Sequence, residues 1–524
     1  MVPRMTANLS RRQMLSRTGM GFGALALAGV LQHDAPAADG EDLPLGVIPR
    51  DQHFPGPAKA VIQLVMTGGP SQMDLFDPKP VLQQHNGEVY DVRIDSFQPG
   101  SEPNKLLGSP FQFQQHGHCG MDLSELLPHL STIVDDVCFV RSFESVHNNH
   151  TEGIVNLACG KMFIGRPTLG AWISYALGTE NQNLPSFVVL RDPNGYSTSG
   201  GLMSKSGWLP ALYGGTEFSS RGDPVQNLSP ALPVPANMRR RGLAFLRQLN
   251  EQYRRRYPEE SELETRIQNY ELAARMQMTA TDVLDISKET AATRALYGLD
   301  VAEKENFGTR CLMARRLVER GVRFVQVFAS KGQAWDHHSG ITTGLPNECF
   351  ATDQATTALI IDLKQRGLLD STVVMWGGEF GRMPVAQNSD GRDHNKRAGT
   401  CLLAGGGFKG GCIYGKTDEV GYTVVENPFT APDMFATIMH QLGLDHRRVH
   451  YKHAGRFEDA TDSVVTGARI HETIIDTPLR VRRGDSSTSR CGKLPGQVRS
   501  SYCCFAWRAN QTVISFCPRL SQLW

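Results

Sequence analysis

The sequence predicts an α/β fold built on a parallel sheet, and three observations lead there. Several apolar, β-favouring runs are too short to be helices of their own. Amphipathic helical segments lie between them. Four of the runs open directly into clusters of carboxylates and imidazoles, which is how α/β enzymes commonly place chemistry at strand C-termini. The run Thr372-Val373-Val374-Met375-Trp376 shows the pattern most fully. Gly377 and Gly378 end it, Glu379 stands where the loop opens, and Asp393-His394 begin eleven residues after Arg382, in a loop rich in Gly, Asn and Asp. A plainer account pairs Glu379 with Arg382 and leaves His394 as a polar loop residue.

Composition sets the bounds. A chain of 524 residues holds one large domain or two to three ordinary ones. Hydrophobic content of 40% and charged content of 20% are those of a soluble globular protein. A formal net charge of +1 argues against nucleic acid as a partner. The 52 glycines and 29 prolines predict a large, loop-decorated α/β enzyme. Eleven cysteines show neither a CxxC pair nor zinc-ribbon spacing, but Cys491, Cys503, Cys504 and Cys517 crowd the end of the chain.

Residues 1–38 read as a twin-arginine signal peptide. Arg11-Arg12 precede a Gly/Ala-rich apolar stretch from Gly19 to Leu31, and Ala35-Pro36-Ala37 offers a cleavage site. The stretch is too short and too weakly apolar for a good membrane span. The expectation is export to the periplasm or cell envelope by the twin-arginine machinery, with no stable span afterwards. This route carries folded proteins, often with metal already inserted.

From residue 39 to 476 the chain reads as one domain. Lys59 to Met66 is the first core strand; Thr67 to Ser71 break it, and Asp74 and Asp77 follow. Asp74 is equally readable as a helix or turn cap. A helix is expected around Leu123 to Val134, then a strand over Val137 to Arg141 leading into His147-Asn148-Asn149-His150-Thr151-Glu152. Thr151 reads as a nucleophile, a metal ligand, or the N-cap of the next helix. A helix opens near Gly165, a strand covers Ser186 to Leu190, and residues 193–235 form a long surface excursion. A charged helical insertion is expected over about 236–320; its arginine triplets lie among glutamates, as on solvated helical faces. Gly321 to Phe328 is a strand ending near Asp336-His337-His338, and an amphipathic helix closes at Gly367. Beyond the Thr372 strand, Thr400 to Leu403 is a strand, the glycines of 404–411 mark a hairpin turn, and Pro432 to Gly443 is a helix. Residues 477–524 lose all periodicity. They read as a disordered or non-native tail translated outside the ancestral frame, with a cysteine-stapled appendage as the alternative.

In a parallel sheet the four clusters converge on one edge: Asp74; His147, His150 and Thr151; Asp336, His337 and His338; Glu379, with Asp393 and His394. Carboxylates with imidazoles are ligands for zinc or manganese, and for iron or calcium depending on the mix.

The runs MTGGPSQMDLFDPKP, GRPTLGAWISYALG, VVMWGGEFGRMP, GRDHN and LLAGGGFKGG together resemble a bacterial family of twin-arginine-exported proteins of unassigned function, placed in the alkaline phosphatase/sulfatase superfamily. The resemblance runs from about residue 45 to 475. It implies an α/β/α sandwich with a mainly parallel central sheet and a metal site at the strand ends. It makes Asp74 the first-strand metal aspartate, Asp336 and His338 a metal pair at shortened spacing, and His394 the late metal histidine. Glu379 falls where the superfamily has an Asp-His pair, with Phe380 replacing the histidine. Glu379 and Asp393 complete the expected ligands for a divalent cation, zinc first, with manganese or calcium as alternatives. Thr151 is the candidate nucleophile and Ser71 the reserve. Arg382, Arg166 and His150 are the candidate substrate-binding residues, although either arginine is as readily a structural partner of a carboxylate. The absence of Cys-x-Pro-x-Arg argues against a formylglycine sulfatase. The expected activity is hydrolysis of phosphate or sulfate esters, small or polysaccharide. The alternative is a non-catalytic binding or envelope protein that reuses the fold.

Overall fold

The computed structural model describes residues 47–222, 235–257 and 261–476. The signal segment and the tail beyond 476 therefore lie outside the described residues, as does part of the expected excursion.

The strands that matter to the site are β1 (Ala60–Val65), β2 (Val137–Glu144), β3 (Phe187–Leu190), β4 (Thr216–Phe218), β5 (Phe324–Phe328), β6 (Thr372–Gly377), β7 (Gly381–Gln387), β8 (Gly391–Asn395), β9 (Gly399–Ala404), β10 (Ile413–Tyr414) and β11 (Phe429–Thr430). Nine of them form one sheet in the order β10-β2-β9-β6-β1-β5-β3-β4, with β11 also pairing β2. All pairings are parallel except those of β9, which runs antiparallel to both β2 and β6. The C-termini of β2, β6, β1 and β5 therefore share one edge, and Val65 lies in register with both Phe328 and Gly377. The fold is mixed α/β with a mainly parallel central sheet.

Each strand side chain alternates between faces, so the sheet divides the core in two. Ile62, Leu64, Val325, Val327, Val374 and Trp376 join one apolar cluster. Val61, Val65, Phe324, Phe328, Val373 and Met375 join the other. The longer helices are α1 (His150–Cys159), α2 (Leu169–Leu177), α3 (Ala236–Arg256), α4 (Ser261–Leu284), α5 (Ala302–Glu319), α6 (Ile341–Gln365) and α7 (Ala431–Gln441). The first cluster takes Leu312 and Leu317 of α5 and Leu359 and Leu363 of α6. The second takes Ile154 of α1, Trp172 of α2 and Phe435 of α7. With helices on both faces, each strand can be apolar throughout. Among the described residues no helix is long and apolar enough to cross a membrane.

Local readings differ from the sequence expectation at four places. Met121–Ser124 is a strand paired with Phe113–His116, and only Leu130–Asp136 is helical, as a 3-10 turn. Thr216–Phe218 extends the sheet inside the expected surface excursion. The glycine-rich stretch after β9 is not a hairpin: β10 pairs β2, on the far side of that strand from β9. Asp393 and His394 sit on a strand, because β7 and β8 form their own two-stranded ribbon. Its register shifts between Arg392 and His394, beside Pro384, which has no N–H to donate to the ladder.

Candidate metal centre

Four side chains converge where the parallel strands end. Among the described residues, His150, Asp336, His338 and His394 form the group able to hold a metal, each offering one ligand atom, all within 4.8 Å of one another. They come from three separate segments, brought together at the sheet edge. His150 is the first residue of α1, whose N-cap is Asn149. Asp336 and His338 follow β5, and His394 is on β8. Gly68 makes the approach possible. At φ +119° it lies in backbone space that other residues rarely enter, and a Cβ there would stand 2.6 Å from Asp336 N. Gly391 does the same under His338, where a Cβ would fall 2.0 Å from the His338 carbonyl carbon.

Asp336 is the hub. Its Oδ2 lies 3.1 Å from His150 Nε2, and its Oδ1 lies 3.0 Å from His338 Nε2 and 3.0 Å from His394 Nε2. Arg382 Nη2 also donates to Oδ1, at 2.6 Å.

The far side of each ring is fixed by an oxygen. His150 Nδ1 lies 2.6 Å from Glu379 Oε1, which also accepts from Gly68 N at 2.9 Å. His394 Nδ1 lies 2.7 Å from the Asn148 carbonyl. His338 Nδ1 meets Gln387 Oε1, and the Gln387 amide is oriented by donating to Pro99 O at 2.7 Å. All three oxygens are acceptors, so each Nδ1 donates its proton to one of them and each Nε2 faces Asp336. The aromatic packing is tight: His394 sits 4.3 Å from the His150 centroid, 4.6 Å from His338 and 4.6 Å from Phe380. Phe380 is thus a wall of the ring cluster.

Charge decides between two ways of satisfying this geometry. Three protonated rings plus Arg382 would outnumber Asp336 and Glu379 in a buried site, at a high desolvation cost. The rings do not share one state. Burial, aided by the Arg382 charge and opposed by the Asp336 hydrogen bond, pushes His394 down to about 3. Burial also pulls His150 down, but hydrogen bonds with Asp336 and Glu379 outweigh it and hold His150 above its usual value. Burial pushes Asp336 up, but the three rings against it and the Arg382 charge outweigh burial and hold it far below the usual carboxylate range. A neutral His394 sets lone pair against lone pair at Asp336 Oδ1, and His338 Nε2, though 3.0 Å from the same oxygen, has no aligned hydrogen-bond partner. A cation among the four relieves both defects. The three Asp336-to-ring separations of 3.0–3.1 Å are short enough for donors that share one ion, with metal–ligand bonds of about 2.0–2.1 Å. The residues fit a divalent metal, and the Nδ1 anchors match the outer hydrogen bonds that orient metal-binding histidines.

The other expected site residues are placed differently. Asp74 does not reach the four: Arg392 grips both of its oxygens, at 2.7 and 3.1 Å, both side chains are fully buried, and Ser71 Oγ also donates to it. That arrangement occupies the reserve nucleophile as well. Glu379 backs His150 and does not join the four donors, and its Oε2 is buried without a hydrogen-bond partner. Asp393 faces away and accepts from the N–H groups of Phe97 and Gln98 at 2.6 and 2.8 Å. Arg382 is spent on Asp336 and on the carbonyls of Gly68, Gly69, Trp335 and Arg392, so Glu379 is not its partner. Arg166 pairs with Glu458 at 3.4 Å and stacks over Trp208. His150, expected to bind substrate, is one of the four donors. Thr151 is not the N-cap; it lies in the first turn of α1 with its hydroxyl 2.9 Å from Ser199 Oγ. His337 packs against Gly344. Sequence reasoning missed Asn148, Gln387 and Gly68, of which only the glycine after a strand carried any signal.

A search of curated proteins finds no match. Solved structures resemble the chain at low similarity. They include a phosphonate monoester hydrolase from Silicibacter pomeroyi (12% identity, 66% of this chain and 73% of that chain, TM-score 0.31). A protein of the alkaline phosphatase superfamily from Vibrio parahaemolyticus is also similar (10%, 80% and 76%, TM-score 0.31), as is a sulfatase from Pseudoalteromonas sp. (10%, 74% and 68%, TM-score 0.30). One family pattern spans residues 58–474, most of the described chain, and by it the protein belongs to the DUF1501 family, described as a protein of unknown function.

Proposed function

We propose that the protein is an exported, metal-dependent hydrolase of phosphate or sulfate esters. The observation that carries this reading is the set of three Nδ1-anchored imidazoles aiming Nε2 at one carboxylate, at the C-terminal edge of a parallel sheet. A divalent cation held there, zinc first among the candidates, supplies Lewis acidity to an ester oxygen and lowers the pKa of a bound hydroxyl or water.

The chain supplies the rest. His150, His338 and His394 bind as neutral donors, while Glu379, Gln387 and the Asn148 carbonyl hold them in place. Thr151 is the nucleophile in this reading. It follows a donor directly and sits in the first turn of α1, where the positive end of the helix favours an anion. Its partner Ser199 holds φ +54°, a conformation uncommon outside glycine and frequent at functional sites. Phe380 and Phe97 pack against the His394 ring and hold its orientation.

One observation favours the binding-protein alternative: both arginines expected to grip the substrate are engaged by carboxylates. The deciding experiment measures metal content by mass spectrometry and assays metal-loaded protein on aryl phosphates, phosphodiesters and sulfates. Turnover is expected, lost at least about 100-fold in Thr151→Ala and in His394→Ala. No turnover of any ester, or activity indifferent to His394→Ala, transfers the reading to the alternative. Export is checked separately: replacing Arg11 and Arg12 with lysine should retain the precursor in the cytoplasm, and unchanged export refutes that part.

A further inference from the structure

The metal centre uses none of the seven described cysteines, and two of these stand side by side. β10 pairs parallel with β2, Ile413 opposite Phe139 and Tyr414 opposite Val140, and Phe139 N donates to Cys412 O at 2.7 Å. Carried back one residue, that register sets Cys412 beside Cys138. Neighbouring strands lie roughly 4.8 Å apart, inside the roughly 4.4–6.8 Å that a disulfide spans between Cα atoms. Both side chains point to the same face. Cys138 is buried in the cluster that holds Val140 and Phe429, and Cys412 packs against that cluster.

We propose that Cys138 and Cys412 form a disulfide, made by exchange with a small-molecule or protein disulfide in an oxidising compartment. The two thiols differ in the way exchange requires. Cys412 is half-buried and reachable, whereas Cys138 is fully buried. The hydrogen bond from Cys138, working against burial, pushes the Cys412 thiol down to about 7. The Cys412 thiolate attacks one sulfur of the incoming disulfide and expels one thiolate. Cys138 then loses its proton to that thiolate and attacks Cys412 Sγ of the mixed disulfide, expelling the second thiolate, which takes a proton from water. The pair gives up two electrons, and the oxidant leaves as two thiols.

The bond would tie the edge strand β10 to β2, the strand whose exit leads to Asn148 and His150. Cys401 is the competing partner. It lies opposite Val140 on β9, two residues from the Leu403 that faces Cys138, but it is buried and its thiol is pushed up to about 12. The cysteines beyond residue 476 compete as well.

The test incubates the full chain with oxidised glutathione or with a reducing phosphine, then alkylates it in denaturant and maps peptides. The expected result is a Cys138–Cys412 linked peptide and two fewer free thiols, preserved in Cys401→Ser and abolished in Cys412→Ser. The oxidised form should also melt roughly 5 °C above the reduced form, with no such gap in Cys412→Ser. Both cysteines remaining alkylatable at equilibrium, or Cys412 joined instead to Cys401 or to a cysteine beyond 476, overturns the proposal.

Discussion

Glu379 and Asp74 are both buried carboxylates at the sheet edge, and their partners give them opposite jobs. Glu379 Oε1 holds the Nδ1 side of His150, while Asp74 closes on the guanidinium of Arg392. Glu379→Gln keeps an oxygen that can accept from both His150 and Gly68 N, but it removes the charge that makes His150 a strong donor. Metal affinity should fall by about 10- to 100-fold with the fold intact, the usual cost of losing an outer partner of a ligating histidine. Asp74→Ala leaves Arg392 charged, buried and short of its acceptor. It should cost about 3–5 kcal/mol of stability while the folded protein keeps its metal stoichiometry. Chelator competition and denaturant melts separate the two. A reversed outcome, with metal lost from Asp74→Ala at unchanged stability, would make Asp74 a ligand after all.

At the scale of elements, what could be read in advance was what short-range pattern determines. β1, β6 and β9 announce themselves as apolar runs broken by glycine, and α6 and α7 by their spacing. The polar residues after β2, β5 and β6 were equally visible, so His150, Asp336, His338 and Glu379 could be named, though with His150 as a substrate binder and Glu379 as a ligand. Which of them meet was not visible, because each pairing is set by contacts remote in the chain. The Asp74–Arg392 pair spans 318 residues, and the Arg382–Asp336 bond spans 46 across two different strand ends. Arg392 stands beside Asp393 and His394 in sequence, but the register shift between Arg392 and His394 breaks the alternation along β8, and only His394 faces the centre. Gln387 and the Asn148 carbonyl carry no titratable group and could not be singled out before the ribbon of β7 and β8 was known. The strand at Met121–Ser124 was misread as helix because leucines at i and i+3 also satisfy a helical spacing. Its ladder to Phe113–His116 decides the matter.

At the scale of the molecule, the described body closes with a small latch just before residue 477. Ile474 and Ile475 are wholly buried in the cluster beneath α7. Ile475 bridges Phe408, Lys409 N donates to Ile474 O at 2.9 Å, and Asp476 N donates to Gly407 O at 2.9 Å. The glycine-rich stretch after β9, first read as a hairpin turn, is therefore the seat of this latch. The family pattern also ends at residue 474. Cooperative stability should depend on the latch and on nothing after it. A chain ending at Asp476 should melt within about 2 °C of the full chain. A chain ending at Glu472 forfeits the burial of both isoleucines, each about 1.5–3 kcal/mol, together with the backbone bonds to Gly407 and Lys409, and should melt several degrees lower. Calorimetry on the two truncations discriminates. A large drop already at the Asp476 cut would show that residues 477–524 pack on the domain, and the reading of them as a non-native tail would fall.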